Sequence, residues 1–215
     1  MFAEYNEKSL YKRFPDLSAV EKDVEDVVSM ILETYGNGGK ILLCGNGGSC
    51  ADCDHIVGEL MKSFMYERKP SADAVEKLSF QFGDETERVV SCLQTGIPAV
   101  SLPSQTAVLT AYLNDVAPEY VYAQLVYGYA KKGDLLICLS TSGNSKNVVN
   151  AAKVAKAFGI KTAAITGKKE SDLSSLCDVC IRVPETETYK VQELTLPVYH
   201  HLCASVEKNL FGGKN

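Results

Sequence analysis

The run LLICL at residues 135–139 restricts the fold of this chain more than any other feature. Five consecutive apolar residues show none of the alternation of a half-exposed strand, so the run must be covered on both faces, as in the middle of a parallel sheet. A second run, ILLC at 41–44, has the same character. Each ends in a turn of small residues, CGNGGS at 44–49 and STSGNS at 140–145, after which helical spacing begins. IPAVSL (97–102), IKTAAITG (160–167) and CDVCIRVP (177–184) supply further strand-like segments.

Between these lie helical patterns. Residues 18–35 place Val20, Val24, Val27, Val28, Ile31 and Leu32 at helical spacing with acids opposite. Residues 49–64, 104–114, 118–131 and 147–158 also suit helices, as do 191–210 apart from Pro197. Residues 66–96 are charged as far as Arg88, and Val75, Leu78, Phe82, Val89, Val90 and Leu93 predict two short amphipathic helices there. Strand and helix alternate, which predicts an α/β fold: a three-layer α/β/α sandwich around a mainly parallel sheet. One domain covers 1–215, with an N-terminal helical segment at 1–38 and a helical insertion near 66–96.

The 215 residues and 46% hydrophobic content are enough for one sizeable core. The longest uncharged stretch, 89–114, is broken by Gly96, Pro98 and Pro103, so no membrane span is expected. Residues 1–14 lack the apolar centre of a signal peptide, and a cytoplasmic location is expected. A net charge of −5 with mixed signs provides no broad basic face, which argues against nucleic acid as a partner. The eight cysteines, among them Cys50 and Cys53 and then Cys177 and Cys180, allow either a four-cysteine zinc site or packed thiols in a reducing compartment. Cys44, Cys138 and Cys180 fall in apolar runs and favour packing.

In an open parallel sheet, ligands gather at the carboxyl ends of the strands. The two small-residue turns occupy that position. Ser140, Thr141, Ser142 and Ser145 offer hydroxyls beside backbone N–H groups at a helix start, a combination that binds phosphate without a lysine cluster. Neither turn has the spacing of a Walker loop or of Gly-x-Gly-x-x-Gly.

The only histidines are His55, His200 and His201. His55 and Glu59 stand at i and i+4 and share a helix face. Gln192 and His200, eight apart, can share a face of the last helix, so that two such faces meeting would form a cluster of two His, a Glu and a Gln. His201 points about 100° from His200 and is expected at the surface or an interface.

Taken together, CGNGGSCADCDHIVGEL, LNDVA, STSGNSKNVVNAAKVAKAFG, AITG and VQELTLPVYHHLCASVEKNL resemble the SIS (sugar isomerase) domain, whose sheet is flavodoxin-like, and within it most closely the phosphoheptose isomerases. The resemblance runs from Ser18 to Leu210 outside the insertion. It implies a phosphosugar isomerase that converts sedoheptulose 7-phosphate to a heptose 7-phosphate through an enediol. It further implies phosphosugar binding by Asn46, Gly47, Gly48, Ser49, Asn114, Asp115, Ser140, Thr141, Ser142, Ser145 and Gln192. Glu59 and His200 match the catalytic acid/base pair, and His55, Glu59, Gln192 and His200 match the zinc ligands of members that bind zinc. No nucleotide or organic cofactor is implied. A homotetramer with sites across subunit interfaces is implied.

The other reading within the same resemblance is a SIS module that binds a sugar phosphate or docks a protein partner without catalysis. The presence of both Glu59 and His200 favours the enzyme. Three features depart from the pattern: the length of 66–96, Ser63 with Lys62 where an Arg is expected, and Pro197 between Gln192 and His200, where a kink would upset their alignment.

Overall fold

The structure, a computed structural model, describes residue 6 and residues 8–213. The expectations for the extreme N-terminus, the signal-peptide reading and the first part of the 1–38 segment, therefore lie in part outside the described residues. In chain order the helices are α1 (Ser9–Arg13), α2 (Glu21–Gly36), α3 (Gly48–Met61), α4 (Ala72–Phe82), α5 (Thr86–Cys92), α6 (Thr106–Asp115), α7 (Val121–Tyr129), α8 (Lys146–Ala157), α9 (Asp172–Leu176) and α10 (Thr188–Phe211). The strands are β1 (Ile41–Gly45), β2 (Ala99–Ser101), β3 (Leu135–Leu139), β4 (Lys161–Thr166) and β5 (Val179–Arg182).

All strand pairs are parallel, in the order β2-β1-β3-β4-β5. The apolar runs form the adjacent inner strands β1 and β3, in which every residue is buried. Strand alternation then divides the core in two. Ile41, Leu43, Leu135, Ile137 and Leu139 face α2, α3 and α10, whereas Leu42, Cys44, Leu136 and Cys138 face α7 and α8. This is the three-layer α/β/α arrangement expected from the alternation of patterns.

The insertion contains its two helices, α4 and α5, but neither has a buried residue. Their apolar positions therefore contribute nothing to the main core. The first site helix, α3, stops at Met61 and not at residue 64. Lys62 is extended (φ −131°, ψ 166°), and the Arg68 side chain takes the Glu59 and Leu60 carbonyls that would have continued the helix. The short α9 has no counterpart in the sequence pattern; its single turn is held by a capping box between Ser171 and Ser174.

α10 passes through Pro197 without interruption. The missing N–H would have served the carbonyl of Glu193, an exposed residue whose backbone water can solvate. His201 is not at the surface: it is only 5% exposed, its ring centroid 5.7 Å from that of Tyr11 and its Nε2 3.4 Å from Ser205 Oγ. The N-terminal helices α1 and α2 pack against α10 and cover that side.

Candidate active site

The strand order reverses between β1 and β3, so the turns after these two strands diverge and leave a crevice between them. Gly47 begins α3 at φ +55°, a conformation suited to glycine, and it has no side chain with which to cap the helix. The α8 N-cap, Ser145, makes no capping bond either. Two helix N-termini thus face the crevice without an N-cap side-chain bond, the Val148 N–H of α8 being engaged locally by Asn147 Oδ1 at 3.0 Å, and such N-termini favour an anion.

The turns are joined to each other. Asn46 Nδ2 donates to Asn147 Oδ1, and Asn147 Nδ2 donates to Asn46 Oδ1, both at 2.9 Å. Within the second turn Ser140 Oγ and Ser145 Oγ are 3.1 Å apart, and the Thr141 carbonyl accepts the Gly167 N–H at 3.1 Å, fixing the turn to the end of β4. Ser142 is exposed, and its hydroxyl accepts the Asn144 N–H at 3.2 Å. Ser49 is buried behind the first turn.

α3 and α10 run alongside each other and bring the second group together. His55 Nε2 is 3.2 Å from Glu59 Oε1 and 3.4 Å from His200 Nε2. One ligand atom from each of His55, Glu59 and His200 falls within 4.8 Å of the others. Among the described residues this is the one such cluster of three or more His, Cys, Asp or Glu side chains. Glu59 Oε2 is buried with no hydrogen-bond partner. A buried, unpaired carboxylate oxygen is costly and marks a position prepared for something else.

Gln192 also faces α3, but two turns before His200. Its amide lies over Gly48, where a Cβ would come within 2.4 Å of Gln192 Nε2. Of the four residues expected to cluster, His55, Glu59 and His200 converge, and the Gln192 amide lies beside the first turn of α3. Asn114 and Asp115 are exposed at the end of α6, bonded to each other at 2.7 Å. Within this chain α6 packs mainly against α7 and the turn before it.

Two side chains not foreseen from the sequence orient His55. Tyr199 Oη lies 2.9 Å from His55 Nδ1 and donates to Asp52 Oδ1 at 3.3 Å. With the phenol proton directed to Asp52, the contact to His55 is satisfied when Nδ1 carries the ring proton, which leaves the Nε2 lone pair toward Glu59 and His200. Burial, and then the Asp52 charge, push the Tyr199 phenol well up, so it remains protonated. Burial also raises Asp52, against the Tyr199 hydrogen bond and His55. Burial and the neighbouring His55 lower His200, against an opposing pull from Glu59, which favours neutral imidazole.

None of the eight cysteines joins a metal cluster or a disulfide. Cys44, Cys53, Cys138 and Cys203 are buried, Cys50, Cys177 and Cys180 partly so, and Cys92 is exposed on α5 in departure from a packing role. No described helix is long and apolar enough to cross a membrane.

Residues 99–204 match the SIS domain family. The chain is 35% identical to the phosphoheptose isomerase of Aneurinibacillus thermoaerophilus, over 89% of this chain and 83% of that one. It is 36% identical to the phosphoheptose isomerase of Aliarcobacter butzleri, over 90% and 89%. A solved phosphoheptose isomerase from Neisseria gonorrhoeae superposes with a TM-score of 0.68 at 27% identity, covering 92% of this chain and 90% of that one. One from Francisella tularensis superposes at 0.74 with 23% identity, covering 94% of each, and supports the fold.

Proposed function

The chain belongs to the phosphoheptose isomerase family and carries a SIS domain, and on that premise we propose that it interconverts sedoheptulose 7-phosphate and D-glycero-D-manno-heptose 7-phosphate. It is an isomerase. The observation that carries the proposed chemistry is the convergence of His55, Glu59 and His200 around an unpaired carboxylate oxygen.

The phosphate binds at the crevice between Asn46, Gly47, Gly48 and Ser49 on one side and Ser140, Thr141, Ser142 and Ser145 on the other, with Gln192 over Gly48. The helix N-termini and hydroxyls supply the donors. The sugar then extends along α3 toward Glu59. Ketose-to-aldose conversion removes a proton from C1 and returns it to C2. Glu59 as carboxylate accepts the C1 proton on its free oxygen and delivers it to C2 of the enediol. Neutral His200 accepts the proton of the C1 hydroxyl and gives one to the C2 oxygen, so protons balance over the cycle. An imidazole held neutral suits that exchange, and the lowered His200 supports it.

The three converging donors also fit a zinc ion: two imidazole nitrogens and a carboxylate, with the Glu59 Oε2 orphan as the structural mark of a missing partner. His55, Glu59 and His200 would hold it, with Gln192, from the same helix as His200, as the fourth expected ligand. When bound, zinc supplies Lewis-acid polarisation of the sugar carbonyl.

Asn114 and Asp115 reach substrate only if another copy brings them there. Their exposure on α6, beside Val108, Leu113 and Val116, which are 41%, 47% and 64% exposed, supports a homotetramer with sites shared between subunits. Eight free thiols agree with a cytoplasmic location.

The test is incubation with sedoheptulose 7-phosphate, with and without chelator, following appearance of the aldose. Absence of aldose in both arms sinks the heptose reading. Activity unchanged by chelator, together with no metal in the purified protein, sinks the zinc reading.

A further inference from the structure

Beyond the cluster, a fully buried and heavily bonded charged pair sits just past the end of α3. The Arg68 and Glu207 side chains are both 0% exposed, with Arg68 Nε 2.6 Å from Glu207 Oε1. The rest of the guanidinium is turned to α3: one terminal nitrogen donates to the Leu60 carbonyl at 2.6 Å and the other to the Glu59 carbonyl at 3.0 Å. Glu207, from α10, accepts the backbone N–H groups of Phe64 (2.8 Å), Met65 (2.6 Å) and Tyr66 (3.2 Å). The Phe211 ring covers the guanidinium at 5.3 Å.

A buried ion pair is an expensive way to hold two elements together, since apolar side chains of similar volume usually do as well. What a guanidinium adds is fixed geometry, with several donors in one rigid plane and a charge that is not lost. Here two of those donors are spent on the last turn of α3, whose carbonyls have no partners within the helix. One belongs to Glu59 itself. The Glu59 carboxylate has one oxygen unpaired and the other against His55 at 3.2 Å, so side-chain bonding alone fixes it weakly.

We propose that the Arg68–Glu207 pair is a positioning device that fixes the backbone of Glu59, and through it the carboxylate that moves the carbon proton. This rests on the isomerase reading above. The same helix carries the phosphate end of the site at Gly48, about 16 Å away along the axis at 1.5 Å per residue. The pair acts on the proton-transfer end alone, and that separation makes the role measurable: kcat depends on it and KM does not.

The experiment compares wild type, Arg68→Lys and Glu207→Gln for thermal unfolding and for steady-state turnover of sedoheptulose 7-phosphate. Arg68→Lys keeps the charge beside Glu207 but loses the fork that holds both carbonyls. It is expected to fold with a lower Tm, to lose roughly 100-fold in kcat as a carboxylate displaced by about 1 Å would, and to keep KM within about twofold. Glu207→Gln retains the guanidinium contacts to Glu59 and Leu60 and is expected to lose less kcat than Arg68→Lys. Folded Arg68→Lys with wild-type kcat overturns the proposal, as does a KM that rises in step with the loss of kcat. Failure of both variants to fold also overturns it and leaves the pair a structural role only. Wild type without turnover overturns the isomerase reading itself, an outcome distinct from an active wild type with an unaffected variant.

Discussion

Tyr199 Oη lies 2.9 Å from His55 Nδ1, so the residue next to His200 on α10 orients the histidine of the facing helix. One turn of α10 therefore contributes twice to the site, through the His200 ring and through the phenol that sets the tautomer of its neighbour. Removing that phenol separates orientation from chemistry. Tyr199→Phe should cost about 1 kcal/mol of stability, the typical net worth of a hydrogen bond. It should lower turnover or zinc affinity by roughly 10- to 100-fold, as loss of an outer hydrogen bond to a ligating histidine does. Turnover and zinc titration on the folded variant check this, and unchanged values would show that His55 needs no such support.

Glu59→Gln keeps the shape of the side chain and removes the carboxylate proposed as the base. We expect kcat to fall roughly 100- to 10,000-fold, the range for a positioned acid/base group, with KM little changed. Exchange of the substrate carbon proton with deuterated solvent should fall in parallel. Exchange at the wild-type rate would assign the base elsewhere.

Gly48→Ala tests the phosphate end. The added Cβ would lie 2.4 Å from Gln192 Nε2, the far end of a flexible side chain that can move aside. The fold should survive, with a gain of up to about 1 kcal/mol from helix propensity. KM should rise several-fold while kcat changes less, because the change is far from Glu59. A fall in kcat at constant KM would contradict the division of labour along α3.

The lowered His200 has a signed consequence for stability. Its folded value lies below the ordinary histidine value of about 6.5. Between the two, the unfolded chain binds a proton that the native state does not, so stability rises with pH across that window. The contribution of this group is flat above it and diminishes as pH falls toward the folded value. Urea unfolding of wild type and His200→Asn between pH 7 and 5 should show a steeper decline for wild type; equal slopes would remove His200 as the cause.

Much of this was legible from residue pattern. LLICL and ILLC could only be inner strands, and with the alternation of helices they determine the layers. His55 and Glu59 lay at helical spacing, and the chain folds them against His200. What spacing could not supply was translation between helices. Gln192 and His200 share the side of α10 that faces α3, and the fold sets the Gln192 amide over Gly48 and the His200 ring against His55. His201 was misread because its burial depends on α1 and α2, elements distant in sequence. Arg68 and Glu207 were invisible for a similar reason: 139 residues separate them, and charged residues are ordinarily read as exposed.

The way the helical insertion is attached bears on how this chain can change. Its two ends are tied close together: Ser63 N–H donates to Gln94 Oε1 at 2.8 Å, Thr95 N–H to the Arg68 carbonyl at 2.8 Å, and Ile97 N–H to the Leu60 carbonyl at 2.9 Å. The segment leaves the body and returns at one point, so its stem is a closed loop whose entropy grows only with the logarithm of its length. Lengthening or shortening the part beyond residues 69 and 94 need not disturb the strands or the crevice. The insertion, whose helices bury nothing in the core, is free to vary while mounted directly on the pair that holds the last turn of α3.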